Sequence, residues 1–218
     1  MQKQLDELTI QSPRRRQGER HIKLYWAPQT RSTRAFWMLE EAGIEYETER
    51  IDIRAENRND SEEFRAASPM GKVPAIVDGD VSMSESAAIC LYIADRYCAG
   101  SLAPAIDDPL RGKFLYWTLY TPAVIEPAMS EKFNNIEGNP GRNGWGDFDS
   151  MIQIFNDGLE SRQWILGDSF TVADVMLGSS AIVMRMFDML PETSNLGEYA
   201  DRCLARPRYA MAVEKSSG

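Results

Sequence analysis

The stretch MGKVPAIVDGD, residues 70–80, places a proline directly before a short apolar run. Proline has no amide hydrogen to give to a strand ladder, so it is tolerated at the first residue of a strand, at an edge or at a bulge. Ala75–Val77 is predicted to be a buried strand, and Pro74 lies at its start. If the Val73–Pro74 bond is cis, the chain turns there and the polar backbone groups of Val73 face outward. The backbone of a ligand could then pair with Val73.

The end of the same stretch predicts a hairpin. Asp78-Gly79 lies between the runs AIV and DVSM. This dipeptide is the strongest short hairpin signal, because both central residues of a type I′ turn need a positive φ. The strand after Pro74 and the run that follows Gly79 are therefore expected to pair as antiparallel neighbours.

The residues before this stretch predict two strands and two helices. Ile22–Trp26 is a short β-prone run, and Tyr46–Ile53 alternates between two faces as a strand does. Between them lies an amphipathic helix that Gly43 ends, as a C-terminal glycine does. A polar segment after the second strand is expected to hold a helix over Ser61–Ala67. The apolar face of the first helix follows the spacing i, i+3, i+4, i+7 and consists of Ala35, Met38, Leu39 and Ala42.

SESAAICLYIADRY, residues 84–97, predicts a third helix that opens with capping serines and an early glutamate. The order β-α-β-α-β-β-α forms one compact α/β domain that ends near Tyr97. Cys98–Pro109 is rich in glycine, proline and small residues, and the patterns beyond it are helical, so a domain boundary is expected there. The expected buried face of the third helix consists of Ala88, Ile89, Tyr92 and Ile93.

The second half of the chain carries two clear local signals. Asn134–Phe148 contains five glycine or proline residues, which predicts a long surface loop between helices. In SFTVADV, the Thr171 side chain can accept a hydrogen bond from the amide of Asp174, while the Asp174 carboxylate reaches back to the amide of Thr171. Phe170 and Val175 flank this capping box as a hydrophobic staple, so a buried helix is expected to start here.

The predicted domain organisation follows from these elements. Residues 1–20 are expected to form a flexible extension, 21–98 an α/β domain, 99–108 a linker and 109–218 an all-helical domain. The extension contains SPRRRQGER but no apolar core and no small-residue cleavage site, so it is not expected to be a secretory signal. A solvated tail is the expected role of its arginines, with a membrane or an acidic partner as the alternative.

The composition excludes several classes of function. A net charge of -9 argues against a sequence-tolerant nucleic-acid binder, which needs a surface rich in lysine and arginine. No apolar run approaches the roughly 18 residues that cross a membrane. Cys90, Cys98 and Cys203 are widely spaced and form neither a C-x-x-C pair nor a zinc cluster, which indicates a reducing cytosol and no metal. The single histidine, His21, precedes the first strand, so a surface role is favoured over that of a general base.

Four stretches in chain order resemble the cytosolic glutathione transferase family. They are LYWAPQTRSTRAFWMLEEAG, SPMGKVPAIVDGD, SESAAICLYIADRY and FTVADV, and the resemblance covers about Ile22 to Tyr209. It implies a thioredoxin-like domain that binds glutathione as co-substrate, and an all-helical domain that supplies the pocket for a hydrophobic electrophile. It also implies a homodimer and no metal.

The resemblance assigns glutathione to the residues around the proline. In this family a cis-proline leaves the preceding backbone free to pair with the cysteinyl part of glutathione, a role that falls here on Val73 before Pro74. Glu85 and Ser86 match the residues that hold the γ-glutamyl end, since a carboxylate can pair with its ammonium while a hydroxyl and helix amides hold its carboxylate. Lys72 is the expected partner of the glycyl carboxylate. The alternatives are a helix cap alone at the start of the third helix and an exposed loop lysine.

Catalysis requires the glutathione sulfur as a thiolate near pH 7, because the thiolate is the nucleophile. A hydroxyl hydrogen bond and the positive end of a helix both favour the anion, which points to the loop APQTRSTR before the first helix. Transferases of this family use tyrosine, serine or cysteine there. This loop has no cysteine, and Arg31 stands about where one would be, so the cysteine-based subclasses with reductase or lyase chemistry are disfavoured.

The loop leaves several candidates for the group that stabilises the thiolate. Ser32 is the first candidate and Thr30 the second, with Tyr25 at the end of the strand as an outside candidate. The alternative is that Ser32 only caps the helix and that the charge of Arg31 or Arg34 stabilises the thiolate.

The second substrate is expected to lie against the helical domain. FLYWTLYTPAV supplies aromatic side chains, of which Trp117 and Tyr120 are the candidate substrate contacts, although an aromatic stripe at helical spacing more often forms core. The predicted activity is addition of the glutathione thiolate to an electrophilic carbon, or displacement of a halide or ether from it. The alternatives are glutathione-dependent isomerisation or disulfide reduction, and a non-catalytic scaffold or ligand carrier with the same fold.

Overall fold

The computed structural model describes residues 21–191 and 194–218, so the expected extension over residues 1–20 lies outside the described residues. The first half of the described chain holds a sheet and three helices, in the order β1 (Ile22–Trp26), α1 (Ser32–Ala42), β2 (Tyr46–Arg50), α2 (Glu62–Ala67), β3 (Ala75–Asp78), β4 (Val81–Ser84) and α3 (Ser86–Tyr97). The second half is helical, in the order α4 (Arg111–Tyr120), a π turn (Thr121–Ile125), α5 (Glu126–Phe133), α6 (Phe148–Gly158), α7 (Val172–Met186), α8 (Asn195–Leu204) and α9 (Pro207–Ser217).

The strands form one mixed sheet in the order β2-β1-β3-β4. β1 is parallel to β2, whereas β3 runs antiparallel to both β1 and β4. Tyr25 pairs with Ala75, and Ala75 pairs in turn with Ser84. The end of β1, the start of β3 and the end of β4 therefore lie side by side at one end of the sheet. The observed order of elements confirms the predicted α/β thioredoxin-like first half and helical second half.

The second strand is shorter than predicted. The alternation in the sequence predicts a strand over Tyr46–Ile53, and β2 ends at Arg50. Beyond it the amide of Arg54 donates a hydrogen bond to the carboxylate of Asp52 (3.1 Å). A local side-chain bond of this kind competes with a strand ladder, so the chain turns away from the sheet here.

The predicted hairpin is confirmed, but its turn lies one residue later than expected. Asp78 pairs with Val81, so the central residues of the turn are Gly79 and Asp80. Of the two, Gly79 alone has a positive φ, 63°. Asp78 stays in the ladder because its buried carboxylate accepts a hydrogen bond from the Tyr92 hydroxyl on α3 (2.7 Å).

The third helix is confirmed, but its buried face differs from the predicted one. Ala88 is exposed and Tyr92 is half-buried. The helix is covered on two sides, because it contacts both the sheet and α1 and α7. Its buried residues are Ser86, Ala87, Ile89, Cys90, Ile93 and Ala94.

α1 lies between the sheet and the helical half. Trp37 is fully buried, and its ring packs against Phe170 just before α7 (5.7 Å between centroids) and against Tyr209 on α9 (4.8 Å). The next-door side chain, Phe36, packs edge-on against Trp26 of β1 (5.3 Å). Because α1 is apolar on opposite faces, both halves of the chain fix the position of this helix.

The predicted capping box at the start of α7 is confirmed. The amide of Thr171 donates to the Asp174 carboxylate (2.9 Å). This buried carboxylate also accepts hydrogen bonds from the amide of Ile165 (2.9 Å) and the hydroxyl of Tyr199 (2.9 Å). Burial raises the pKa of Asp174 to about 6, although these hydrogen bonds act in the opposite direction.

Residues 134–147 form the predicted loop between α5 and α6. The Glu131 carboxylate ties this loop to α5, because it accepts hydrogen bonds from the Asn143 side-chain amide (3.0 Å) and the Trp145 indole (3.1 Å). Within residues 21–191 and 194–218, no helix combines the length and the apolar character that a bilayer crossing needs.

All three cysteines are buried free thiols. Burial raises the pKa of Cys90 to about 12 and also raises the pKa of Cys98. A thiol with a raised pKa is a poor nucleophile near neutral pH, so none of the cysteines is placed for thiolate chemistry.

Candidate functional site

Three segments meet at the end of the sheet where β1 and β4 stop and β3 starts. Since Ala75 pairs with Ser84, the residues just beyond this pair, Pro74 and Glu85, are neighbours across the end of the sheet. The β1–α1 loop, residues 27–31, leaves β1 at the same end. The fold therefore brings the predicted thiolate loop together with the predicted glutathione residues.

The Val73–Pro74 peptide bond is cis. Pro74 is buried and Val73 is half-buried. Among the described residues, no hydrogen bond involves the amide or the carbonyl of Val73. These two groups are one donor and one acceptor at the end of a sheet, which is the arrangement that an extended peptide needs in order to pair with it.

Two side chains hold the segment before Val73 in place. The buried Ser68 hydroxyl donates to the carbonyl of Lys72 (2.7 Å) and accepts from the amide of Lys72 (2.9 Å). Arg58 donates to the carbonyl of Gly71 (2.9 Å). The backbone of Val73 is therefore presented by a segment whose neighbouring polar groups are already satisfied.

Glu85 has an unusual backbone conformation, with φ 75° and ψ 115°. A positive φ is strained for a residue other than glycine, and such strain is concentrated at functional sites. No side chain caps α3, although serines flank Glu85 and the sequence allows a cap there. The exposed carboxylate and the uncapped first amides of α3 are thus both open to a ligand, with Ser86 buried at the start of the helix.

Lys72 is exposed, and its ammonium has no ion-pair partner in the described part of the chain. Sequence analysis missed another cation, the exposed Arg54, which donates to the side-chain oxygen of Gln29 in the β1–α1 loop (3.2 Å). Gln29 itself has a positive φ of 57°. The signal that could have pointed to Arg54 is the recurrence of arginines in the polar segment after β2.

Ser32 and Thr30 form a connected pair at the start of α1. The Thr30 hydroxyl lies 2.7 Å from the Ala27 carbonyl and 2.9 Å from the Ser32 hydroxyl. Ser32 is fully buried, and its hydroxyl also accepts a long hydrogen bond from the amide of Ala27 (3.4 Å). Thr30 is half-buried, so of the two hydroxyls it is the one nearer to solvent.

Tyr25 is directed away from this loop. Its ring is fully buried and packs against Phe64 of α2 (5.2 Å between centroids), and its hydroxyl donates to the Glu63 carboxylate. Burial and this hydrogen bond to a carboxylate both raise the pKa of Tyr25. The phenol is therefore engaged on the α2 side of the sheet.

An ion-pair cluster joins the start of α1 to the helical half. Glu126, the first residue of α5, accepts hydrogen bonds from Arg31 (2.7 Å) and Arg34 (2.5 Å) through the same carboxylate oxygen. Arg34 also donates to the hydroxyl of Ser180 on α7 (3.1 Å). Burial would raise the pKa of Glu126, but the Arg34 and Arg31 guanidinium groups outweigh it and hold the pKa below its ordinary value. Glu126 is therefore ionised near neutral pH.

Trp117 and Tyr120, the predicted substrate contacts, are both buried. Their rings pack together (5.2 Å between centroids), and Trp117 packs against Phe155 of α6 (6.4 Å). The Tyr120 hydroxyl donates to the Met151 carbonyl (3.3 Å). The two side chains thus have the core role that an aromatic stripe most often has.

A cavity of about 680 Å³ opens on the helical half between the end of α5, the start of α6 and the end of α7. Phe133 and Phe187 form one wall and pack edge to face (5.5 Å between centroids). α5 begins at Glu126 in the ion-pair cluster and ends at Phe133, which is a distance of roughly 10 Å along the helix. Further lining residues are Lys132, Phe148, Asp149, Ile152, Met189 and Leu190.

Comparison with known proteins gives one family match. Residues 30–96 match the family model described as Glutathione S-transferase, N-terminal domain. Glutathione S-transferase F10 of Arabidopsis thaliana is 28% identical over 158 residues, which are 66% of this chain and 72% of that protein. Disulfide-bond oxidoreductase YfcG of Escherichia coli strain K12 is 25% identical over 212 residues, which are 89% of this chain and 95% of that protein.

A solved structure shares both halves of the fold. It is a glutathione transferase family member from Pseudomonas fluorescens Pf-5 with two glutathione bound, 26% identical in sequence, with a TM-score of 0.67. The match covers 88% of this chain and 92% of that one. Within the ranges that the present structure describes, no group of three or more His, Cys, Asp or Glu side chains is placed to hold a metal ion.

Proposed function

We propose that this chain, which belongs to the cytosolic glutathione transferase family, binds glutathione at the end of its sheet and joins the glutathione thiolate to a hydrophobic electrophile. The observation that carries the proposal is the backbone of Val73, whose amide and carbonyl have no hydrogen-bond partner among the described residues. An extended tripeptide can pair with both groups as an added strand. The strained Glu85 and the uncapped start of α3 lie at the same end of the sheet.

Each part of glutathione then has a partner of complementary chemistry: opposite charges at its two ends and backbone hydrogen bonds at its centre. The cysteinyl backbone pairs with Val73, and the γ-glutamyl ammonium pairs with the Glu85 carboxylate. The γ-glutamyl carboxylate binds Ser86 and the first amides of α3, where the helix dipole favours an anion. The glycyl carboxylate pairs with Lys72, which is exposed next to Val73, or with Arg54, which is exposed and reaches the β1–α1 loop.

The thiol is placed at the start of α1. The half-buried Thr30 hydroxyl turns its proton from the Ala27 carbonyl to the sulfur, and the buried Ser32 hydroxyl donates to Thr30 from behind, which reverses the order in which the sequence ranks them. This hydrogen bond and the helix N-terminus stabilise the thiolate. The thiolate then attacks an electrophilic carbon, a carbon–sulfur bond forms, and a halide or an ether oxygen leaves with the electron pair of its former bond.

A second copy of the chain is the proposed partner. Tyr116 and Leu119 are exposed on α4 (51% and 45%), and Met70 is exposed in the segment before Val73 (77%). Burial of these apolar side chains favours association. Light scattering should give twice the mass of one chain, and Tyr116→Glu with Leu119→Glu should give the monomer mass. The buried free thiols support a reducing cytoplasmic location.

Disulfide reduction is the second candidate, because disulfide-bond oxidoreductase YfcG is 25% identical over 89% of this chain. In this reaction one glutathione thiolate attacks one sulfur of the disulfide, the S–S bond breaks, a mixed disulfide forms and the other sulfur leaves as a thiolate. A second glutathione then displaces the protein or small-molecule thiol and is oxidised with the first to glutathione disulfide. The same glutathione site serves both reactions, so the identity of the second substrate decides between them.

Retention on immobilised glutathione and titration calorimetry test the site first. Binding in the wild type and its loss in Glu85→Gln with Ser86→Ala would support the proposal. Activity on an activated aryl halide then supports the transferase, whereas turnover of a model disulfide with no aryl-halide activity supports the reductase. A wild-type protein that does not bind glutathione would overturn both, and a non-catalytic scaffold would remain.

A further inference from the structure

The long helical segment that starts at Arg111 and ends at Phe133 is interrupted once, by the π turn. The amide of Glu126 donates to the carbonyl of Thr121, five residues earlier. Single π turns inside helices are frequent at functional sites, since the extra residue re-aims the side chains that follow. Pro122 lies within the turn and Pro127 follows it, and each lacks the amide that a regular helix would use.

The same turn leaves a polar atom unsatisfied. The Thr121 hydroxyl is fully buried and has no hydrogen-bond partner among the described residues. An unsatisfied buried hydroxyl destabilises the folded state, and native structures rarely keep one without a reason. The π turn is thus locally destabilised by the unsatisfied Thr121 hydroxyl, and Glu126, the residue directly after this turn, contacts the start of α1.

At the start of α1, Glu126 contacts two guanidinium groups that differ in solvent exposure, Arg31 and Arg34. The Arg34 side chain is 7% exposed and the Arg31 side chain 61% exposed, while Glu126 itself is 22% exposed. The remaining contact of the cluster, Ser180 on α7, is neutral. Two guanidinium groups and one carboxylate leave a net charge of +1 beside the first turn of α1, where the thiolate is proposed to lie.

We propose that Glu126 is a positioning residue that holds Arg31 beside the glutathione thiolate and limits the positive charge there. This inference rests on the proposed function. Without Glu126 the cluster would carry +2 and would lower the thiol pKa further, and a thiolate of lower pKa is a weaker nucleophile. The helical half, through its π turn, thereby tunes the nucleophile that the thioredoxin-like half binds.

A charge series tests this inference. The thiol pKa of bound glutathione is measured from thiolate ultraviolet absorbance during a pH titration of the saturated complex. Glu126→Gln keeps an acceptor of the same shape and should lower the thiol pKa by roughly one pH unit, while Arg31→Gln should raise it by roughly one. The double variant restores a net charge of +1 and should return the thiol pKa to near the wild-type value.

Ser180→Ala is the matched control, because it removes a contact of Arg34 without changing the charge. Its thiol pKa should equal that of the wild type. Thiol pKa values that do not move in Arg31→Gln, an exposed position that tolerates substitution, or that move equally in Ser180→Ala, would overturn the inference while glutathione binding stands. Absence of glutathione binding in the wild type would overturn the proposed function itself.

Discussion

Thr30 and Ser32 share one hydrogen-bonded chain, and the half-buried Thr30 is its outer member. Thr30→Val removes the hydroxyl at nearly constant shape. We expect kcat/KM for an activated aryl halide to fall about 10- to 100-fold, since a hydrogen bond to a charged group is worth about 1.5–3 kcal/mol. The thiol pKa of the glutathione complex should rise in the same variant.

Ser32→Ala is the comparison for this prediction. Its hydroxyl is fully buried behind Thr30, so its loss should cost less than about 10-fold in kcat/KM. A larger loss in Ser32→Ala than in Thr30→Val would contradict the order proposed here and would favour the serine as the thiolate partner.

Glu85 combines a charge that a ligand can use with a strained backbone. Glu85→Gln should raise the Kd for glutathione about 10-fold or more, because it removes the charge that pairs with the γ-glutamyl ammonium. Glu85→Gly should lose the same affinity and, since glycine adopts φ 75° without strain, should raise the free energy of unfolding by about 1 kcal/mol. Calorimetry and urea unfolding measure the two effects. An unchanged Kd in both variants would refute a role for the carboxylate.

The residue types of this site can be read from the sequence, whereas the exposure and direction of its side chains cannot, for a physical reason. Pro74 is proposed to act through its backbone geometry and Glu85 through its carboxylate. Both properties follow from the residue type, so a sequence motif can detect them. The exposure of Ser32 and the direction of Tyr25 depend on how the β1–α1 loop turns and on which face of the sheet α2 covers. Arg54 lies in a segment without periodicity, so nothing local in the sequence ties it to Gln29.

Asp174 in the capping box of α7 is buried, so ionisation of its carboxylate destabilises the folded state. Asp174 has an ordinary pKa of 3.8, and burial raises it to about 6 in the folded protein. Because the folded state then holds its proton more tightly than the unfolded state, the contribution of Asp174 to stability is greatest below about pH 4 and decreases as the pH rises through about 6.

Asp174→Asn removes this dependence. The difference in free energy of unfolding between the wild type and the variant should therefore shrink as the pH rises from about 4 to about 7, by up to roughly 3 kcal/mol. Urea unfolding at several pH values measures it. A difference that stays constant or grows with pH would show that the hydrogen bonds from Thr171, Ile165 and Tyr199 outweigh burial.

We expect the second substrate to bind at the cavity at the ends of α5 and α7, where Phe133 and Phe187 form an apolar wall. Phe187 is 53% exposed there, so Phe187→Ala should leave the fold intact while it removes an aromatic contact. We expect KM for a bulky aromatic electrophile to rise several-fold, with an unchanged Kd for glutathione. Leu204→Ala on α8, 42% exposed and away from this cavity, is the control and should leave KM unchanged. Equal effects of the two variants would exclude the cavity as a substrate site.

Local sequence signals predicted which helices, strands and turns exist better than they predicted helix irregularities and buried faces. The hairpin, the C-terminal glycine of α1 and the capping box were all encoded within a few residues, and all are present. The π turn was not predictable, because one extra residue in a helix alters no apolar spacing that a short window can detect. The buried face of α3 also depends on which elements cover it, so periodicity alone misplaced Ala88.

The two halves of the chain are joined mainly around α1, and the contacts that join them are long-range. Arg206, just before α9, donates two hydrogen bonds to Glu41 (2.6 and 2.7 Å), and Lys215 donates one to Glu40 (2.5 Å). Pairs of this kind lie far apart in the chain and leave no trace in periodicity. The sequence therefore predicts both halves and their boundary, whereas their relative placement depends on contacts that only the structure reveals.

This arrangement predicts that the two halves unfold as one unit. The Glu41 side chain is 5% exposed, and Glu41→Gln leaves Arg206 without its charge partner, so the free energy of unfolding should fall by about 3 kcal/mol. Amide exchange should accelerate together in β1 and α7, because α1 packs against both halves. Asp201→Asn breaks an exposed pair with Arg185 and should cost less than about 1 kcal/mol. Exchange that accelerates in β1 while α7 keeps its protection would instead mean that the helical half is stable without α1.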